Sequence, residues 1–156
     1  MSQTIVDLRE KAIEIAKAGG HHTRQYFNSN LAVEKKADNS PVTRADRETE
    51  QLMRQMVEDE FPEHGIIGEE FGRKNTDSNI QWVFDPIDGT RSFIHGVPLY
   101  TTLIGILIDE EPVVGVIYAP IIDELCDGAK GLGARLNGKS CQVRACNSLS
   151  EATFLS

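Results

Sequence analysis

At 156 residues, with 40% hydrophobic and 26% charged residues, the chain has the composition of one globular domain, and no apolar run approaches the ~18 residues of a membrane span. A net charge of −8 argues against electrostatic binding to nucleic acid, so an acidic protein that handles a phosphate must neutralise it locally, for which a divalent metal is the obvious means. The N-terminal "MSQTIVDLRE" lacks a signal-peptide pattern, which leads us to expect a cytoplasmic protein, and the three cysteines Cys126, Cys141 and Cys146, without Cys-x-x-Cys spacing, read as reduced structural thiols.

From Thr4 to about Phe27, the apolar positions Ile5, Leu8, Ala12, Ile15, Ala16, Tyr26 and Phe27 recur at helical spacing, with Gly19-Gly20 as a weak or close-packed point. A polar stretch, "EKKADNSP", follows. Thr43-Arg44-Ala45-Asp46 then offers a capping box for a second helix, whose stripe is Leu52, Met53, Met56, Val57 and Phe61 and which Phe61-Pro62 closes. Beyond it the period changes to that of strands: "GIIGEE", "IQWVF", "LYTTLIGILI", "PVVGVIYAP" and "DELCDG", with turns at Asp109-Glu110-Glu111-Pro112 and Asn137-Gly138. Two helices followed by consecutive strands predict an α+β fold, the helices layered on a mainly antiparallel sheet, as a single domain over 1–156.

The stretch "WVFDPIDGTRSFI" carries the chemistry. Asp85 follows an apolar strand, so its side chain should emerge at the sheet's end; Pro86 fixes the turn and Gly89 permits a close approach. Asp85, Asp88 and the Ile87 carbonyl make an all-oxygen set suited to Mg²⁺ or Mn²⁺. Gly89, Thr90 and Arg91 would begin a short helix whose free amides receive an anion. Upstream, Gly68-Glu69-Glu70 puts two more carboxylates at a second strand end, and Asp46 is a third candidate. Each has a plainer reading: Asp-Pro-x-Asp-Gly as a surface turn, Glu69-Glu70 as a solvated acidic loop, and Asp46 as the capping partner of Thr43. A helix-loop-helix calcium site is disfavoured, because the twelfth position from Asp85 is Gly96 where a bidentate Glu is required. His21, His22, His64 and His95 have no nucleophilic setting, and His21-His22 reads as an exposed part of the first helix.

Together and in this order, "SPVTRAD", "GEE" and "WVFDPIDGTRSF" resemble the inositol monophosphatase superfamily of Mg²⁺-dependent phosphatases, and "KKADNSPVTRADRETE" with "DPIDGTRSFIHGVPLYTTLIGI" looks most like its histidinol-phosphatase type. The resemblance implies that Glu69, Asp85 and the Ile87 carbonyl hold a first metal, and that Asp85 and Asp88 contribute to a second. It implies that Gly89 and Thr90 offer amides to the phosphate, with Arg91 in support. Thr90 and Asp46 would orient or deprotonate the attacking water beside Glu69, with Glu70 ordering water and Lys36 at the rim. The implied reaction is phosphomonoester hydrolysis of a small phosphorylated metabolite, histidinol phosphate or alternatively inositol 1-phosphate or a related phosphate. The family's C-terminal α/β half, with a further metal-binding aspartate, is not found before the chain ends at "ATFLS". That leads us to expect an amino-terminal portion that self-associates as a homo-oligomer, and leaves open a non-catalytic metal-binding module.

Overall fold

The computed structural model of the protein describes residues 4–29, 32–35 and 41–153; Lys36 lies outside them. Helix α1 (Ile5–Arg24) opens on a capping box in which the Thr4 hydroxyl accepts the Asp7 amide at 3.1 Å and the Asp7 carboxylate accepts the Thr4 amide at 3.1 Å. Leu8, Ala12, Ile15, Ala16, Gly19, Gly20 and Thr23 form its buried stripe. The glycine pair is the close-packed point, because a Cβ on Gly19 would stand 2.8 Å from Met53 Sδ and one on Gly20 2.5 Å from the Tyr118 ring. The helix ends short of the expected Phe27: Tyr26 and Phe27 lie in the turn that follows, where the Tyr26 amide donates to the Thr23 carbonyl at 3.0 Å.

Helix α2 (Arg44–Glu60) starts at the expected capping box and stops before Phe61. Its stripe differs from the expected one. Met53 and Val57 are buried and Met56 packs against the core, but Leu52 is only half-buried, and Ala45, Asp46, Thr49 and Glu50 complete the inward face.

Among the described residues, strands β1 (Val33–Lys35) and β2 (Pro41–Thr43) pair as a small antiparallel ribbon ahead of α2. The main sheet contains β3 (Gly65–Gly68), β4 (Gly72–Lys74), β5 (Ile80–Asp88), β6 (Thr101–Ile108), β7 (Glu111–Ala119), β8 (Glu124–Ala129), β9 (Gly133–Leu136) and β10 (Lys139–Cys141). Its order is β10-β9-β8-β7-β6-β5-β3-β4, antiparallel throughout except for the parallel β3–β5 pair. The turn expected over Asp109 to Pro112 is tighter: Asp109 and Glu110, at φ 50° and 66°, make it alone. Pro112 instead lies in β7 beside a register shift, where a residue without an N–H is tolerated.

Helices α1 and α2 cover one sheet face, where Leu8, Ile15, Met53, Trp82, Ile106 and Tyr118 are almost fully buried. The opposite face leaves Val83 and Leu103 half-exposed and Ile117 open, because alternate residues of a strand point to opposite sides. A second, smaller core of Ala45, Ile87, Phe93 and Tyr100, with Tyr26 and Phe27 against it, seats the short helix α3 (Thr90–Ile94).

Candidate active site

Asp85 and Asp88 belong to β5, and in a regular strand residues three apart face opposite sides. The β5–β6 ladder shifts between them: Asp85 is opposite Leu103 and Asp88 opposite Thr101, so β5 carries one residue more than β6. Such a bulge turns both side chains to the same side at the strand's end. Pro86, which has no N–H to lose, sits inside it, and the Thr102 hydroxyl donates to the Pro86 carbonyl at 2.9 Å. The Ile87 amide donates to Asp85 Oδ1 at 3.2 Å, and the Thr101 hydroxyl to Asp88 Oδ2 at 3.4 Å.

Parallel pairing puts Gly68 of β3 opposite Phe84, so that Glu69, the next residue, reaches Asp85. Burial first, then the neighbouring Glu69 carboxylate and Asp88, push the Asp85 carboxyl up to about 8. Two carboxylates facing one another at a strand end are an unfavourable arrangement that a cation relieves. Asp85, Glu69, Asp88 and the Ile87 carbonyl supply oxygen donors only, which suits a hard divalent ion. Among the described residues, no three His, Cys, Asp or Glu side chains close around one point.

Asp46 divides its oxygens between the helix cap and Thr90. Oδ2 accepts the Thr43 amide at 2.7 Å and the Thr43 hydroxyl at 2.6 Å, while Oδ1 lies 3.4 Å from the Thr90 hydroxyl, which also donates to the Ile87 carbonyl at 3.0 Å. Gly89 precedes α3 at φ 90°, where the left-handed backbone favours glycine, and no side chain caps the helix. Arg91 is exposed on α3. A cavity of about 350 Å³ between Asp88, Gly89, Leu99, Tyr100 and Ile122 adjoins this end of the sheet.

Glu50 escaped the sequence reading. It is fully buried on α2, and its carboxylate accepts the amides of Glu70 at 2.6 Å and Phe71 at 3.2 Å and Arg54 Nε at 2.7 Å. Its signal was a charged residue one helical turn after Asp46 and three residues before Met53, on a stripe otherwise suited to apolar side chains. His64 is structural, accepting the Trp82 N–H at 3.1 Å, and its burial lowers its pKa and holds it neutral. The cysteines are free, and burial pushes the Cys126 thiol up, away from the thiolate a nucleophile requires.

The sequence model of the Inositol monophosphatase family matches residues 6–156. A histidinol-phosphatase of Chlorobaculum parvum is 44% identical over 146 residues, covering 92% of this chain and 56% of that protein. A fructose-1,6-bisphosphatase/inositol-1-monophosphatase of Aquifex aeolicus is 36% identical over 149 residues, with the same coverage of 92% and 56%. The crystal structure of the extragenic suppressor protein suhB from Bartonella henselae superposes with a TM-score of 0.86 at 31% identity, over 91% of this chain and 56% of that one. The chain thus spans little more than half the length of these relatives.

Proposed function

The chain belongs to the inositol monophosphatase family, and from that premise we propose that it carries the metal- and phosphate-binding part of a Mg²⁺-dependent phosphomonoesterase acting on histidinol phosphate. The observation that carries this reading is the β5 bulge, which sets Asp85 and Asp88 to one side, with Glu69 against Asp85 and Thr90 beside Asp46. The histidinol-phosphatase relative supports the choice of substrate, and the relatives named for inositol phosphates make inositol 1-phosphate its competitor. Residues 1–156 act as one α+β unit in this reading. Its partners are a small phosphorylated metabolite and further copies of the chain.

Glu69, Asp85, Asp88 and the Ile87 carbonyl would hold Mg²⁺, or Mn²⁺ in its place. Once bound, such a cation neutralises phosphoryl oxygens and acidifies water. Thr90 and Asp46 orient the attacking water: Asp46 Oδ2 is committed to the helix cap, which aims Oδ1 at the Thr90 hydroxyl. The water oxygen forms the new bond to phosphorus and its proton passes to the Asp46 or Glu69 carboxylate. The ester P–O bond breaks with its electron pair on the departing alkoxide, which is protonated from solvent. Gly89 and Thr90 would offer amides to the phosphate, and Arg91 would help offset its charge.

A second reading is a metal-binding and self-associating module without turnover, resting on the Glu69–Asp85 carboxylate pair alone. Phosphate release by the purified chain from histidinol phosphate and from inositol 1-phosphate, with and without Mg²⁺, separates the two when the solution mass is measured alongside. Mg²⁺-dependent release that disappears in a folded Asp88→Asn variant supports the phosphatase. Release that survives unchanged in that variant sinks the assignment, and metal binding without release selects the module.

A further inference from the structure

We propose that Glu50 is a positioning residue, whose buried carboxylate fixes the backbone on either side of Glu69 and so aims Glu69 at Asp85. The proposal rests on the reading that Glu69 and Asp85 hold a divalent cation. A fully buried carboxylate on the core face of a helix is costly, and an apolar side chain would fill the same space without that cost. Here the charge is met from three directions: Arg54 Nε at 2.7 Å and the Phe71 amide at 3.2 Å on Oε1, and the Glu70 amide at 2.6 Å on Oε2. Arg54 reaches further, donating from Nη2 to the Gly72 carbonyl at the start of β4. Two side chains of α2, Glu50 and the Arg54 paired with it, thereby gather the turn from β3 to β4.

Gly68 completes the arrangement from the other side. A Cβ at this position would stand 1.8 Å from Glu50 Oε1 and 2.4 Å from its Cδ, so the carboxylate reaches the turn only because residue 68 has no side chain. Glu69 therefore lies between a glycine pressed against the Glu50 carboxylate and an amide bonded to it. Asp46 is one helical turn earlier on α2, and so the same helix sets both the water-orienting carboxylate and the backbone that carries Glu69.

Glu50→Gln tests this with little change of shape. A glutamine keeps one acceptor oxygen, and its NH₂ must oppose either the Glu70 amide or the Arg54 and Phe71 donors. Mn²⁺ titration of the whole chain by electron paramagnetic resonance, with amide hydrogen exchange by NMR, reads the result. In a folded Glu50→Gln variant, protection of the Glu70 and Phe71 amides is expected to fall while the β5–β6 ladder keeps its own. Mn²⁺ affinity is expected to fall by about 10- to 100-fold, the usual consequence of removing a group that orients a metal ligand. Gly68→Ala, which displaces the carboxylate without altering it, is expected to give the same pattern, and the double variant no further loss. Wild-type Mn²⁺ affinity in folded Glu50→Gln overturns the proposal, as does a loss of protection spread evenly through the sheet. A wild-type chain that binds no Mn²⁺ overturns the functional reading instead, and the exchange measurement still decides whether Glu50 fixes the turn.

Discussion

Asp85 is a carboxylate held where its charge is disfavoured, by burial first and by Glu69 and Asp88 next, which together raise it from the usual 3.8 to about 8. Below 3.8 it is protonated in the folded and unfolded states alike. Between 3.8 and about 8 the folded chain keeps a proton that the unfolded chain has released, so stability falls as pH rises through this window. The metal-free protein is therefore expected to lose stability from mildly acidic to mildly alkaline pH, and Asp85→Asn to flatten that slope. Urea unfolding at a series of pH values checks it, and parallel slopes for wild type and variant would dismiss the assignment. Asp85, Asp88 and Glu69 were legible as carboxylates at strand ends, with Asp85 and Asp88 aimed at one point, but the bulge that turns those two to one side was not, because it depends on one extra residue in a ladder whose partner strand is more than ten residues away. Glu50 was illegible for a related reason: a buried charge is recognised only when the amides that satisfy it are known.

At the scale of the element, α2 carries the candidate residue Asp46 on its first turn, and Thr43 is the residue that starts the helix and steadies Asp46. The Thr43 hydroxyl accepts the Ala45 amide at 3.1 Å and donates to Asp46 Oδ2 at 2.6 Å. Thr43→Ala is expected to cost about 1 kcal/mol through the lost cap, and Thr43→Ser to retain most of it; chemical denaturation of both variants decides. Equal losses in the two would show that the methyl group, and not the hydroxyl, is what matters. This helix start was legible because a capping box is a local pattern, and so were both amphipathic helices and strands β3, β5, β6, β7 and β8. Strands β1, β2 and β4 are three residues each, too short for alternation to register, and β4 is exposed along its length. Strands β9 and β10 were marked only by the Asn137-Gly138 turn between them, whose φ values of 49° and 76° fit a two-residue hairpin.

Over the whole molecule, the sheet's order and its parallel β3–β5 pair were not legible, since they express long-range pairing rather than any local period. One interaction ties the first helix to the sheet. Arg9 of α1 donates from Nε to Asp127 of β8 across 118 residues of sequence, and both side chains are almost wholly buried. Arg135 of β9 approaches the same carboxylate at 3.0 Å and extends to Glu10 at 3.0 Å. Among the described residues Arg9 Nη2 has no hydrogen-bond partner, and Asp127 is the carboxylate that meets this guanidinium. Replacing both partners of such a pair by apolar groups is often nearly neutral, whereas removing one strands a buried charge at a cost of about 3–5 kcal/mol. Asp127→Asn would leave Arg9 and Arg135 facing a neutral amide, and is expected to destabilise the chain within that range. Arg9→Met combined with Asp127→Leu is expected to cost less than Asp127→Asn alone. Urea denaturation of the two variants beside the wild type separates the cases, because a loss below about 1 kcal/mol in Asp127→Asn would mean that water reaches the pair and that α1 is held to the sheet by its apolar stripe alone.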